Sequence, residues 1–341
     1  MAGTMTHFCV MKKYYEKQGV SVNFNNTDPN IGAGFLGATG PDIFYIGADY
    51  THISDYHHYK NCGFFVKNLY EGGDKSALVE NLAVGFLSHI ATDLVIHPFV
   101  NKLVGKYQEH IIKEINIPGP VIVAGAKSLS STFFAHNMVE FAQDYYVQTY
   151  LFKKNKDGER HSTLFTYPIK KVRDELVDLM YDAIKFTYNK DIKKNDIDNI
   201  LGVFMNYSNL GLYGNKIQNI EDHVDYVLDD EYTNYQIFLE HQDDIVGIIE
   251  PTEYTTFDRL IDKSVEITEL MVNKMKLGGV GDWEDILRPW NLDTGLYTEP
   301  TIKDNEIKIN FKNYENIWRL REEEMYYPNS DEPKDTGIET I

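Results

Sequence analysis

The 341-residue chain contains only two cysteines, Cys9 and Cys62. Two thiols cannot build a disulfide framework or a four-thiolate zinc site, so free thiols in a reducing compartment are expected. Positive charge is also scarce, with 33 Lys and Arg against 52 Asp and Glu and a formal net charge of −19. So acidic a balance offers no broad basic surface to displace counterions, which argues against binding along long nucleic acid. It does not argue against a phosphate substrate, because bound cations invert the local field. No run approaches ~18 uninterrupted apolar residues, so no transmembrane segment is expected. The opening MAGTMTHFCVMKKYYEK lacks a basic region followed by an apolar one. No secretory signal is read from it, and a cytoplasmic location is the expectation. No strand-like alternation of any length stands out, and there is no internal repeat.

Apolar residues make up 43% of the chain, enough for a packed core rather than a disordered polymer. Helical spacing dominates. An opening helix is expected over 4–17 with Thr4 or Thr6 as its cap, and a further helical pattern over 57–70. The most apolar helix is expected over 76–104, with others over 130–152, 168–188 and 255–276. Residues 19–56 are rich in Gly, Asn and Asp, and GAGFLGATGPDIFYIG within them reads as a glycine-dense loop. The expected architecture is all-α: one helical domain whose first half, 1–150, binds metal. Residues 151–330 supply a supporting helical half, and 331–341 form a frayed tail.

The histidines are unevenly placed. Eight of the 11 fall at positions 7, 52, 57, 58, 89, 97, 110 and 136. In GFLSHIATDLVIHP, His89, Asp93 and His97 are spaced i, i+4, i+8. Each step of four drifts only about 40° around a helix, so the three share one stripe among apolar neighbours. Ionisable groups in so apolar a helix are costly to bury unless something pairs with them, and a divalent cation does so directly. Two imidazoles and a carboxylate suit zinc or another borderline metal. In STFFAHNMVEFAQDYY, His136 and Glu140 repeat the i, i+4 spacing and can chelate an ion from one helix face. Asp42 follows Pro41 in a stiffened turn that can aim its carboxylate into a cavity. His7 sits in the opening helix. Of the adjacent pair His57 and His58, at most one can face such a site. The segment WEDILRPWNLDTGLYTE over 283–299, with Trp283, Trp290, Asp293 and Gly295, is expected to seal the core rather than cap a pocket.

Taken in order, these pieces resemble the zinc-dependent phospholipase C family, whose superfamily includes single-strand-specific zinc nucleases. The resemblance covers residues 4 to about 145. It rests on Thr6-His7, the GxxGPD element from Gly37 to Asp42, and His57/His58 before Gly63-Phe64-Phe65. The G-F-x-x-H-x-x-x-D-x-x-x-H-P run from Gly85 to Pro98 and the His136–Glu140 pair complete it. The tight Asp93–His97 spacing looks like that of the family's uncharacterised intracellular branch. The resemblance implies one zinc held by Asp42, His58, His89 and Asp93, and a second by His97, His136 and Glu140. His7 would join a bridging Asp93 at a third. Secreted members complete that third site with an N-terminal Trp, whereas this chain begins Met1-Ala2-Gly3, so two zinc ions are expected and the third lacks a ligand. The spacing to Gly63 favours His58 over His57. The implied activity is phosphoester hydrolysis by metal-activated water, with Asp42 orienting the water or taking its proton. The substrate would be a phospholipid, a nucleotide or a small phosphodiester. Tyr45, Tyr50, Tyr56 and Phe134 are candidate pocket walls. The alternatives are a nuclease or 3′-nucleotidase of the same superfamily, and a non-catalytic protein with a structural metal site.

Overall fold

The computed structural model describes residues 3–22, 27–46, 50–59, 61–115, 131–151, 169–190, 192–211, 237–238, 241–279, 283, 286–287, 290–292, 296–303 and 306–312. Ten α-helices run through them in chain order. They are α1 (Thr4–Lys17), α2 (Pro29–Thr39), α3 (Thr51–Tyr59), α4 (Cys62–Gly72), α5 (Ala77–Ile115), α6 (Ser131–Tyr146), α7 (Arg173–Tyr188), α8 (Lys194–Gly211), α9 (Gln242–Ile248) and α10 (Pro251–Leu277). A 3-10 turn, Ile43–Ile46, follows α2, and a π-helical turn, Val147–Leu151, extends α6. The all-α expectation holds for the body of the protein. The tail 331–341 lies outside the described residues, as do Asp293 and Gly295.

The centre of the fold is α5, 39 residues long and so about 58 Å from end to end at 1.5 Å per residue. Helices α1, α2, α4, α6, α9 and α10 all pack on it. Its residues from Leu82 to Val100 are buried on every side, as a helix apolar all round must be. By length and composition this helix could cross a membrane, but its apolar window is wholly covered by the other helices. One hydrophobic cluster runs from Met5 to Leu292 and draws on both halves of the chain.

Three expectations need correcting. The glycine-dense stretch is not a loop, since residues 29–39 form α2. Asp28 caps it by accepting from the Asn30 N–H at 2.9 Å, and Pro29 occupies the first turn, where its missing donor costs nothing. Its glycines are sites of close approach: a Cβ on Gly85 of α5 would run into the Gly34 carbonyl oxygen, and one on Gly37 into that of Leu82. Tertiary contact overrides the low helix propensity of glycine here. Neither Thr4 nor Thr6 caps α1; the cap position is Gly3. Strands exist as well. β1 (Trp290–Asn291), β2 (Leu296–Lys303) and β3 (Glu306–Lys312) form an antiparallel sheet in that order, and EIKINFK over β3 does alternate in the manner of a strand.

The segment around the two tryptophans seals the core, as expected. Trp283 and Trp290 are buried, and the Leu292 N–H donates to the His58 carbonyl at 3.0 Å. The second half of the chain thereby braces the end of α3.

Candidate metal centre

Five elements converge on the stripe that α5 presents. From α5 come His89, Asp93 and His97, all fully buried. The close α2–α5 crossing carries the chain through Pro41 to Asp42, above His89. Helix α3 ends at His58, α1 supplies His7, and α6 supplies His136 and Glu140. All eight residues named from the sequence fall into three groups whose donor atoms lie within 4.8 Å of one another: His7, His89 and Asp93; Asp42, His58 and His89; His97, His136 and Glu140.

In the first two groups, Asp93 points one oxygen each way. Its Oδ1 lies 3.4 Å from His7 Nε2, and its Oδ2 lies 3.0 Å from His89 Nε2 and 3.5 Å from His58 Nε2. Asp42 Oδ1 is 3.1 Å from His58 Nε2 and 3.8 Å from His89 Nε2. The far sides of two imidazoles are fixed by backbone carbonyls. His58 Nδ1 donates to Ser54 at 2.7 Å, and His89 Nδ1 donates to Ala38 at 2.9 Å. A carbonyl only accepts, so the Nδ1 atoms carry the protons, and the Nε2 atoms turn inward 3.3 Å apart. Metal-binding histidines are typically oriented in this way, and it makes the donor set a good fit for a divalent cation. His7 stacks on His89 with ring centres 4.1 Å apart, and its Nδ1 has no hydrogen-bond partner among the described residues. In the third group, Glu140 Oε1 lies 3.3 Å from His97 Nε2 and 3.0 Å from His136 Nε2.

Burial opposes charge throughout, yet the carboxylates stay ionised. Asp93 is held well below the usual carboxylate range because His89, His97 and His7 override its burial. Asp42 is lowered against burial by His89 and His58. His58 moves the other way: burial disfavours its charge, but Asp42 and Asp93 raise it to about 10. Burial and the neighbouring His89 lower His7. A proton on His58 and a divalent cation therefore compete for the same two carboxylates.

Exposure is uneven across the centre. The side chains of Asp42, His136 and Glu140 keep 15%, 19% and 11% exposure, while His7, His58, His89, Asp93 and His97 keep none. The structure also separates the adjacent histidines. His58 joins the cluster, whereas His57 is boxed by Phe44, Phe65, Phe86 and Tyr188, with ring centres 4.3–5.8 Å away. Burial there holds the His57 imidazole well below its ordinary value. Of the expected pocket walls, Tyr45 lies over the His58 ring at 5.6 Å and donates to Asp55. Tyr50 donates to Asp196, Tyr56 packs on Tyr188, and Phe134 is buried in the core. The sequence reading missed Asp144, one turn beyond Glu140, although its i, i+4, i+8 spacing with His136 and Glu140 repeats that of α5.

Residues 30–196 match the family model described as zinc dependent phospholipase C. The chain resembles that family over this span, which contains seven of the eight clustered residues and begins after His7. No curated protein and no solved structure matches the chain.

Proposed function

We propose that the chain is a zinc-dependent phosphoester hydrolase of the phospholipase C type. The observation that carries this reading is a buried His and carboxylate cluster in which Asp42, His136 and Glu140 keep partial exposure. Structural zinc sites are closed, whereas catalytic ones keep an accessible position, so this exposure favours an enzyme over a structural site. Asp42, His58, His89 and Asp93 would hold one ion, and His97, His136 and Glu140 a second. His7 with Asp93 would contribute to a third. When bound, zinc supplies Lewis acidity toward phosphoryl oxygen and makes water a better nucleophile at neutral pH.

The chain's own residues do the positioning. His58 and His89 cannot rotate, because Ser54 and Ala38 hold their Nδ1–H groups. The carboxylate of Asp42 is the acid of its group that solvent reaches. Because His89 and His58 keep it strongly ionised against burial, it is a weak base. Its first role is therefore to accept a hydrogen bond from the attacking water and aim it, ahead of removing a proton. Tyr45 walls the His58 side of the centre. The acidic balance weighs against long nucleic acid and leaves a phospholipid, a nucleotide or a small phosphodiester as the substrate. A cytoplasmic location accords with Cys9 and Cys62, which are buried free thiols.

The test is elemental analysis of the purified protein combined with hydrolysis of bis(p-nitrophenyl) phosphate and of short-chain phosphatidylcholine. Zinc-stimulated turnover of either substrate is expected. A protein that takes up no transition metal and shows no metal-stimulated turnover would sink the enzyme reading.

A further inference from the structure

Asp144 is partly buried and belongs to none of the three His and carboxylate groups. Its carboxylate accepts from the backbone N–H of Met5 at 3.0 Å, the N–H of Thr6 at 3.0 Å and the Thr6 hydroxyl at 2.9 Å. These are the first-turn donors of α1, which an N-terminal capping side chain ordinarily satisfies. Here the cap position is Gly3, which has no side chain, and the first turn contains no acid. Asp144 supplies the cap from another helix. The two features fit each other, since a Cβ on Gly3 would run into the Asp144 carboxyl group. Burial pushes the Asp144 carboxyl up to about 7, and the Met5 and Thr6 donors pull against that. Thr6 is the residue immediately before His7. On α6, His136, Glu140 and Asp144 form a stripe like that of His89, Asp93 and His97 on α5. The third member of the α6 stripe grips a helix end instead of facing a candidate ion.

We propose that Asp144 is a positioning residue that docks the start of α1 against α6 and so sets His7 against Asp93. It would tie the His7 group to the helix that carries His136 and Glu140. The proposal rests on the zinc reading of the centre. Outer contacts of this kind tune metal affinity about 10- to 100-fold.

The experiment is a competitive zinc titration of the full-length protein with a chromophoric chelator, alongside circular dichroism. It compares wild type, Asp144→Asn, Gly3→Ala, His7→Ala and the double variant His7→Ala/Asp144→Asn. Gly3→Ala keeps the carboxylate but displaces it, and it serves if Asp144→Asn does not fold. Asp144→Asn and Gly3→Ala should each weaken one zinc equivalent about tenfold, the same equivalent that His7→Ala removes. In the His7→Ala background, Asp144→Asn should change no remaining zinc affinity, because nothing is left for it to position. A folded Asp144→Asn protein with wild-type zinc affinities would overturn the proposal. So would an equal loss of affinity with and without His7, which would mark a general packing role. A wild type that binds no zinc would overturn the metal reading itself and this proposal with it, and the wild-type titration alone would reveal that.

Discussion

The two halves of α5 carry similar residue types in opposite surroundings. Between Leu82 and Val100, the ionisable side chains His89, Asp93 and His97 are fully buried and meet one another and the acids and imidazoles of four other elements. Beyond that, the partly exposed Lys102 and Lys106 reach the buried Glu253 of α10, and Lys106 also reaches the exposed Glu250. Water and mobile counterions screen the second set, and such pairs contribute little. Nothing screens the first set, so its charges must be balanced inside the fold, by a proton on His58 or by a cation. The difference marks which end of the helix does chemistry and which end secures a neighbouring helix.

The sharpest way to break this comparison is His89→Ala. It removes an imidazole shared by two groups, and zinc content and phosphodiester turnover should both fall, turnover by at least about 10³-fold, as expected when such a constellation loses a member. Full zinc retention on elemental analysis would show that the buried half of α5 is only packing.

The next test uses the adjacent histidines. His58→Phe should lose zinc, whereas His57→Phe replaces a neutral imidazole inside an aromatic box and should keep zinc and activity. Its stability should change by less than about 1.5 kcal/mol in chemical denaturation. Zinc loss in His57→Phe instead would reverse the assignment.

A smaller effect is the coupling to pH. His58 is raised above its unfolded value to about 10, so in zinc-free protein its contribution to stability is complete below about 6.5. That contribution is lost as pH climbs toward 10. Zinc must displace the proton, so at pH 7 binding should release about one proton from this group, and affinity should rise with pH. Calorimetry in buffers of different ionisation enthalpy measures the release, and a value of zero would contradict the arrangement around Asp42 and Asp93. Least of all should come from Lys106→Ala at the other end of α5. Zinc content should be unchanged and the melting temperature should shift by roughly 2 °C or less, as for a pair whose lysine is exposed and whose acid keeps Lys102 as a partner.

Where the signal was local, the sequence could be read directly. The apolar period of 3.6 placed α1 over its observed residues, and the four-residue spacings on α5 and α6 brought out His89, Asp93, His97, His136 and Glu140 before any fold was known. What depended on partners far along the chain could not be read. Gly34, Gly37 and Gly85 look like helix breakers in isolation and become contacts only when two helices meet. The spacing to Gly63 favoured His58 over His57, but the aromatic box that holds His57, from Phe44, Phe65, Phe86 and Tyr188 in four different segments, was not legible. The expected helix over 76–104 runs on to Ile115, and its added turns meet Glu250 and Glu253 at the start of α10 through Lys106 and Tyr107. The cap of α1 sits 138 residues away in Asp144, beyond the reach of any local rule.

The crossing of α2 and α5 has a consequence for how such a chain can drift over generations. Gly85 faces the backbone of Gly34, not a side chain that could swing aside. One added methyl group would have to lift the whole of α2, and with it the turn that delivers Asp42 over His89. A glycine outside the three His and carboxylate groups is thereby expected to come under the same constraint as the residues within them. In a deep library scored for zinc retention, position 85 should tolerate as few substitutions as position 89.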